Sequence, residues 1–154
     1  MDRIDRKILH ELQLDGRLSN QELAQRVNLS PSPCLRRVRR LEEEGMIQGY
    51  TAVVDQKAYG YPLTVFARIA LERHDTVTVL EFERRVKEID EIIDCFMMTG
   101  QRDYLLRVVA ASLEDYERFV RQTLHTIPGI GSIDTSFAFG VVKRSPALPP
   151  LSPR

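Results

Sequence analysis

Four arginines crowd one short stretch of the chain, and no acidic residue interrupts them. The only charged residues between Leu29 and Leu41 are Arg36, Arg37, Arg39 and Arg40. A guanidinium group is planar and permanently charged, so it can pair with a phosphate or with the O6 and N7 atoms of guanine. These arginines therefore favour contact with a nucleic acid. The alternative is a solvated helix face, which is the commoner use of a charge run.

The other residue types that usually carry catalysis or bind metals are scattered. His74 and His125 stand alone, and a lone histidine is more often a surface or core residue than a catalytic one. Cys34 and Cys95 lie far apart, with neither a Cys-x-x-Cys motif nor a histidine at ligand spacing. That pattern argues against a disulfide scaffold and against a zinc site. We therefore predict no metal, no cofactor and no catalytic group.

Composition limits the class of protein. The chain has 154 residues, of which 43% are apolar, which is typical of one globular domain or two small ones. Its 22 basic residues balance 22 acidic ones, which excludes a strongly basic DNA-coating protein but not a local basic patch. No apolar stretch is long enough for a membrane span, and the first residues lack the apolar core of a secretory signal. We expect a cytoplasmic, nucleoid-associated protein that does not contact membranes.

The segment before residue 60 has the periodicity of helices. Asp2 can cap a first helix that ends at Gly16, which takes the C-cap position. Ser19, with Glu22 three residues later, is a capping box for a second helix. The apolar residues at helical spacing in these two helices are Ile4, Ile8, Leu9, Leu12, Leu23, Ala24 and Val27. Two short helices are therefore predicted.

A third helix carries the arginines. Asn28 can adopt the left-handed conformation that ends the second helix, and Ser30 with Pro31 is a typical start for the next one. Its buried stripe is predicted to be Cys34, Val38 and Leu41. At 100° per residue, Arg36 and Arg40 lie nearly opposite this stripe. A second and third helix joined by a tight turn are a helix-turn-helix.

The helix-turn-helix interpretation assigns roles along the third helix, whose N-terminal half would enter the major groove of DNA. Ser30, at the start of this helix, is also predicted to contact DNA. The residues predicted to contact bases are Ser32, Pro33, Leu35, Arg36 and Arg40. Arg37 and Arg39 are predicted to grip phosphates or to brace the helix. The combination of turn spacing, Ser-Pro cap and acid-free outer face favours DNA binding over a merely solvated face.

In the second half of the chain, segments with the alternating apolar pattern of strands are interspersed with segments that have helical spacing. Ile47–Asp55 is predicted to be a strand, and Asp55–Pro62 a linker. The elements predicted beyond it are strands at Leu63–Leu71, Ile92–Thr99, Tyr104–Ala110 and Ile130–Val142, with helices at Thr76–Lys87 and after Ser112. The order β-α-β-β-α-β is the ferredoxin-like plan. We predict an α+β protein with domains at 1–60 and 61–143 and a proline-rich, mobile tail at 144–154.

One face of the predicted sheet has no helix to cover it. The two helices occupy the opposite face, and Phe66, Phe96 and Met98 are candidates for the uncovered one. The nearly continuous apolar run Ile92–Thr99 further predicts a strand covered on both faces. A domain of about 80 residues has a marginal core of its own. Self-association is the simplest way to bury this face.

Segments in both halves of the chain resemble one family, the Lrp/AsnC (feast/famine) regulators of transcription. The similarity runs from about Asp2 to Lys143 and is close to the leucine-responsive branch. The segments that carry it are Asp2–Leu9, Asp15–Ser19, Leu29–Leu35, Arg37–Glu42, Gly45–Tyr50 and Gly100–Leu106. The resemblance implies a winged-type helix-turn-helix followed by a regulatory domain. It also implies homodimers formed through the sheet, which assemble into tetramers or octamers on double-stranded DNA.

In this family a free amino acid binds between dimers, beside a hairpin with the motif Gly-x-x-Asp. The resemblance places this effector site at Met98, Thr99, Gly100, Gln101, Arg102 and Asp103, with Thr135 and Ser136 as neighbours on the last strand. Asp103 could pair with the ligand's ammonium group, and a glycine turn can present N–H groups to its carboxylate. Alternatively, Gly100 merely permits the turn and Asp103 caps it.

These observations predict a DNA-binding regulator of transcription that responds to a small amino acid, with a leucine-like one favoured. A second hypothesis is an architectural protein of the same fold that bends DNA without any effector. A third is a small enzyme built on the ferredoxin-like domain, which would need a pocket of clustered polar groups that the sequence does not show. Binding of amino acids separates the first hypothesis from the second.

Overall fold

The computed structural model describes residues 1–149, and its contacts divide the chain into two compact units. One comprises Met1–Val53 together with the chain from Val142 onward, and the other is Val54–Val141. These divisions fall somewhat before the boundaries at residues 60 and 143 that the sequence predicts. Within the first unit, the Leu148 N–H of the tail donates to Gln13 Oε1 at 3.0 Å. The tail residues Pro150 and Pro153 lie outside the described residues.

Three helices form the N-terminal unit: α1 (Arg3–Leu14), α2 (Asn20–Val27) and α3 (Pro31–Glu43). The predicted caps of α1 and α2 are confirmed, because Asp2 with Asp5 and Ser19 with Glu22 both form capping boxes. The prediction for Gly16 is wrong. Asp15, in an extended conformation, is the C-cap of α1, and its N–H donates to Glu11 O at 2.9 Å, so no glycine conformation is needed there.

The turn between α2 and α3 follows the predicted pattern. Asn28 has φ 58° and ψ 47°, the left-handed conformation that ends α2. Ser30 is the N-cap of α3 and Pro31 its first residue, although the Ser30 side chain makes no capping hydrogen bond. Asn20 adds a contact the sequence did not predict, since its amide donates to Pro31 O at 2.9 Å. This bond ties the start of α2 to the start of α3.

The core of the N-terminal unit is small and apolar. Its buried residues are Ile8, Leu23, Ala24, Val27, Cys34 and Leu41. Cys34 and Leu41 confirm the predicted stripe of α3, and Val38 packs against the same cluster. Burial raises the pKa of the Cys34 thiol, which suits an inert filler. The stripe therefore sets which side of α3 faces outward.

The segment that follows α3 differs from the prediction. No strand forms at 47–55; the backbone there is irregular, and Val53 and Val54 are exposed. A strand needs a partner for its ladder, and no strand among residues 1–149 pairs with this segment. The predicted linker instead contains a short helix, α4 (Gln56–Tyr59), capped by the Asp55 side chain.

The second unit confirms the ferredoxin-like plan. Its elements are β1 (Leu63–Leu71), α5 (Thr76–Val86), β2 (Ile92–Met97), β3 (Tyr104–Ala110), α6 (Leu113–Gln122) and β4 (Ile130–Phe137), with a 3-10 turn at Leu124–Thr126. The strands form one sheet in the order β2-β3-β1-β4, and each neighbouring pair is antiparallel. β4 ends at Phe137, five residues before the predicted end.

One face of this sheet packs on α5 and α6. The buried residues between sheet and helices include Val65, Ala67, Ile69, Phe82, Leu106, Val108, Tyr116 and Phe119. Two apolar residues of these helices do not face the sheet. Leu80 is 60% exposed because two residues along a helix turn it nearly opposite to Phe82, and Leu113 is 54% exposed at the first position of α6.

The prediction that β2 is covered on both faces is wrong for the single chain. β2 is an edge strand with β3 as its only neighbour, and Phe96 and Met97 are 52% and 70% exposed. Cross-strand pairs show which residues share the uncovered face: Phe96 is opposite Leu105, and Phe66 is opposite Arg107. The placement of Phe66 and Phe96 on that face is confirmed, whereas Met98 lies beyond the end of the strand.

Candidate nucleic-acid interface and effector hairpin

The outer side of α3 presents an open row of side chains. Ser32, Arg36 and Arg39 are exposed, and Leu35 is 38% exposed beside them. Within residues 1–149, no carboxylate lies within ion-pair distance of Arg36 or Arg39. Pro33 is half-buried on the same helix, and Ser30 stands exposed at its start. The guanidinium groups of Arg36 and Arg39 are therefore available to an anion.

The other two arginines are held by acidic residues at the start of α1. Arg37 Nη1 lies 2.7 Å from Asp2 Oδ2 and 2.7 Å from Asp5 Oδ1. Arg40 Nη2 lies 2.7 Å from Asp5 Oδ2, and its Nε lies 3.6 Å from Glu44 Oε1. The structure thus places Arg37 as the brace that the sequence offered as one of its two roles. Arg40, which the sequence predicted to contact bases, instead forms an ion pair with Asp5 within the protein.

Electrostatics keep both aspartates ionised. The backbone N–H of Asp5 and then the Arg37 guanidinium lower the pKa of Asp2 to about 2. Burial acts to raise the pKa of Asp5, but the Asp2 N–H and Arg37 outweigh it, so the pKa of Asp5 lies below its ordinary value. Asp2 and Asp5 therefore carry full negative charge against the two arginines at neutral pH.

Sequence reasoning missed Asp2 and Asp5 as partners of α3. A signal was present, since Asp2 and Asp5 have the same three-residue spacing as Arg37 and Arg40. Residues three apart lie on one helix face, so the two pairs can meet face to face. The helical pattern alone could not show which faces of α1 and α3 come together.

A six-residue hairpin, Met98–Asp103, joins β2 to β3. The Met98 N–H donates to Asp103 O at 2.8 Å and closes the loop, and Gly100 has φ +113°, which favours glycine. In the described part of the chain, the main-chain N–H groups of Thr99, Gly100, Gln101 and Arg102 donate to no acceptor. The hairpin tip thus exposes a run of unused donors.

Asp103 connects this hairpin to the end of β1. Its Oδ2 accepts a hydrogen bond from the Leu71 N–H at 2.7 Å, and its Oδ1 lies 2.7 Å from His74 Nε2. The Leu71 N–H lowers the pKa of Asp103, burial opposes this, and His74 adds to the lowering. Asp103 is therefore an anion at the end of the hairpin, and its carboxylate bonds to the end of β1 and to His74 rather than capping the hairpin turn itself.

Within the single chain, Thr135 and Ser136 do not lie beside the hairpin, and their role at a site between dimers stays a prediction. Arg102 donates to Ser132 Oγ, whereas Thr135 and Ser136 pair with Ala67 and Phe66, further along β1 from the hairpin. Thr135 Oγ1 lies 2.8 Å from Tyr116 Oη, and Ser136 Oγ accepts a hydrogen bond from Arg68. Successive strand residues face opposite sides of the sheet, so Thr135 and Ser136 cannot both face one ligand in a single chain. His74 and Ser132 are the residues that the sequence missed.

Comparison with known families matches both units. Residues 1–48 match a family described as "Winged helix-turn-helix DNA-binding". Residues 64–148, more than half of the chain, match one described as "Lrp/AsnC ligand binding domain". The chain belongs to the Lrp/AsnC family. The resemblance seen in its sequence motifs is therefore confirmed.

Curated members of the Lrp/AsnC family match over nearly the whole chain. A "Bkd operon transcriptional regulator" from Pseudomonas aeruginosa is 47% identical over 152 residues, covering 98% of each chain. The "Leucine-responsive regulatory protein" of Escherichia coli K12 is 43% identical over 148 residues, covering 96% of this chain and 90% of its own. These relatives are regulators rather than enzymes.

Solved structures of Lrp/AsnC proteins superpose closely on this fold. "Transcriptional Regulator NMB0573", crystallised as an L-Met complex from Neisseria meningitidis, matches with TM-score 0.93 and 36% identity over 97% of this chain and 96% of its own. An AsnC family regulator from Agrobacterium tumefaciens matches with TM-score 0.92 and 36% identity over 97% of each chain. The fold predicted from the sequence, a helix-turn-helix followed by a ferredoxin-like domain, is confirmed.

The protein is a DNA-binding transcriptional regulator with a ligand-binding domain. Two of its features bear on other classes of function. No helix among the described residues is long and apolar enough to cross a membrane. Residues 1–149 also contain no group of three or more potential metal ligands of the His, Cys, Asp or Glu type.

Proposed function

We propose that this regulator binds DNA through the outer side of α3 and that a small apolar amino acid, bound at the Met98–Asp103 hairpin, modulates that binding. The observation that supports amino-acid binding is that the hairpin carries both unused main-chain N–H groups and the anionic Asp103. A free amino acid has the complementary charges, a carboxylate and an ammonium group. Backbone N–H groups of a turn bind the first, and a carboxylate binds the second.

The DNA half of the proposal rests on Ser32, Arg36 and Arg39. Their exposure on one side of α3 suits a helix lying in the major groove, where arginine can read guanine and serine can bond to several bases. A homodimer would present two such helices to successive major grooves. Dimerisation doubles the number of cationic contacts, so it strengthens binding and steepens its salt dependence.

Apolar side chains beside the hairpin favour an apolar effector. Met97 and Met98 are exposed at the base of the loop, and methionine is a flexible side chain that adapts to a ligand. One relative is named as leucine-responsive, and one structural neighbour holds L-Met. Leucine and methionine are therefore the first candidates.

Assembly would place this hairpin at a contact between dimers. The uncovered sheet face, with Phe66 and Phe96, is the surface we assign to the homodimer, and further assembly into tetramers or octamers would use other surfaces. Because the effector would lie where dimers meet, its binding would shift the oligomer equilibrium and hence the DNA contacts. Such a regulator would act in the cytoplasm, on the nucleoid.

A thermal-shift screen of the twenty amino acids, followed by sizing and DNA titration with each hit, tests the effector half. We expect leucine or methionine to raise Tm by ligand linkage and to change both the oligomer distribution and the DNA affinity. Asp103→Asn should abolish the response, and Asp90→Asn, which removes the same charge at an exposed position outside the hairpin, is the matched control. Equal behaviour with all twenty amino acids contradicts the effector proposal.

One observation favours a second candidate, an effector-independent protein that bends DNA. Both carboxylate oxygens of Asp103 already have partners within the chain, Leu71 and His74. If the hydrogen bonds from Leu71 and His74 to Asp103 do not break, no ammonium group can bind to this carboxylate. Measurement of DNA bending by fluorescence energy transfer, with and without the amino acids, decides between the two candidates.

A further inference from the structure

We infer that Asp5 is a positioning residue for DNA recognition: it holds Arg37 and Arg40 of α3 away from the duplex, so that Arg36 and Arg39 are the cations that DNA meets. This inference goes beyond the proposed function, because it concerns how the DNA-contacting surface is limited. It does not depend on the effector site. Its basis is the geometry between the start of α1 and the middle of α3.

Asp5 is unusual among the charged residues of the chain. It is 1% exposed and is the only buried charged residue in the part of the chain that the structure describes. Its carboxylate accepts three close contacts, from Arg37 at 2.7 Å, Arg40 at 2.7 Å and the Asp2 N–H at 2.9 Å. A buried carboxylate with this many donors is fixed in place, since losing them would leave an unpaired charge inside the protein.

These bonds take up one terminal nitrogen of each guanidinium group, Arg37 Nη1 and Arg40 Nη2, and so fix the direction in which each planar group lies. Arg37 Nη1 is shared between Asp2 and Asp5, and the Arg37 side chain is only 26% exposed. A phosphate and a carboxylate compete for the same guanidinium N–H groups. The Asp5 carboxylate is already in place and is shielded from water. The free energy lost by breaking its ion pair with Arg37 or Arg40 would therefore exceed the free energy gained from a phosphate contact.

Arg36 and Arg39 differ from this pair because neither has a carboxylate partner within residues 1–149. Arg40 is exposed as they are, with 45% of its side chain accessible, but Asp5 holds its guanidinium group. Each phosphate contact steepens the dependence of log K on log salt by about 0.9. Withholding two of four arginines therefore weakens sequence-independent binding, and it leaves base contacts as a larger share of the total.

The test compares single substitutions four residues apart on α3, in the full chain. Arg36→Gln and Arg40→Gln are titrated from low to high salt against an unrelated duplex and against a duplex that the protein selects from a random library. We expect Arg36→Gln to make the salt slope shallower by about 0.9 per protomer, and Arg40→Gln to leave it unchanged. Equal loss of slope in the two variants overturns the inference.

Asp5→Asn supplies the opposite test. It removes the charge that holds Arg40 and weakens the hold on Arg37, so the salt slope on the unrelated duplex should steepen by at least about 0.9 per protomer. The ratio of selected to unrelated affinity should fall. Glu43→Gln, which changes net charge equally but frees no arginine, is the matched control. A slope like that of the wild type, in an Asp5→Asn protein folded by circular dichroism, also overturns the inference. The Arg36 and Arg40 comparison decides the matter if Asp5→Asn does not fold.

Discussion

The Asp5 carboxylate lies 2.7 Å from the Arg37 guanidinium, although the two residues are 32 positions apart in the sequence. This contact joins the first turn of α1 to the middle of α3. It makes the orientation of α3 depend on residues at the very start of the chain. Protonation or substitution of Asp5, which removes its negative charge, should therefore affect both the stability of the N-terminal unit and its interaction with DNA.

The first prediction concerns stability in acid. The pKa of Asp2 is lowered to about 2 and that of Asp5 is also lowered, whereas an aspartate in an unfolded chain has a pKa of about 3.9. A depressed folded-state pKa contributes stability that is complete above the unfolded pKa and is lost as the pH falls through the folded one. We expect Tm, followed by circular dichroism, to drop between about pH 4 and pH 2. The drop should be smaller in Asp5→Asn, and parallel profiles of the two proteins would contradict the prediction.

The second prediction concerns the core of the ligand-binding domain. Leu106 is 0% exposed on β3, so Leu106→Ala leaves a cavity and should lower the free energy of unfolding by about 2–5 kcal/mol. Leu80→Ala is the matched control because Leu80 is mostly exposed, and it should cost less than about 0.5 kcal/mol. Urea unfolding measures both. Similar losses would mean that Leu80 is buried in the protein in solution, for example by a second copy of the chain.

The third prediction concerns the turn before β4. Gly129 has φ +84°, and a Cβ placed there would overlap the Thr78 methyl group. Thr78 cannot easily turn away, because its N–H and Oγ1 bond to Asp75 at 3.0 and 2.9 Å in the cap of α5. Gly129→Ala should therefore cost about 1–3 kcal/mol in urea unfolding. Gly140→Ala, in open space at an ordinary φ, should be close to neutral.

The fourth prediction uses His74 to test the proposed effector site. His74 occupies Asp103 Oδ1, the atom that a ligand ammonium group would need. His74→Ala removes this competitor, so leucine or methionine should bind roughly twofold to tenfold more tightly by calorimetry. Asp103→Asn should weaken the same binding. His125→Ala, on a distant turn, is the control for loss of a histidine, and an affinity unchanged by both His74→Ala and Asp103→Asn would place the amino acid elsewhere.

Most of the local structure could be predicted because its causes lie within a few residues. Asp2, Ser19 and Glu22 cap helices through their own neighbours, and Asn28 bends the chain through its own backbone angles. The limits of β1 and β3 followed from apolar alternation and turn residues. The failed strand at 47–55 shows the boundary of this method, because a strand exists only when another strand pairs with it.

The amino-acid sequence by itself determined the helix-turn-helix, the ferredoxin-like order of elements and the family. Tertiary structure decided which of the arginines are available, since Asp5 meets Arg37 and Arg40 only when α1 packs across α3. It also decided that Asp103 bonds to Leu71 and His74, and that Ser132 rather than Thr135 lies beside the hairpin. The physical reason is that caps and periodicities act within one element, whereas these contacts depend on how separate elements pack.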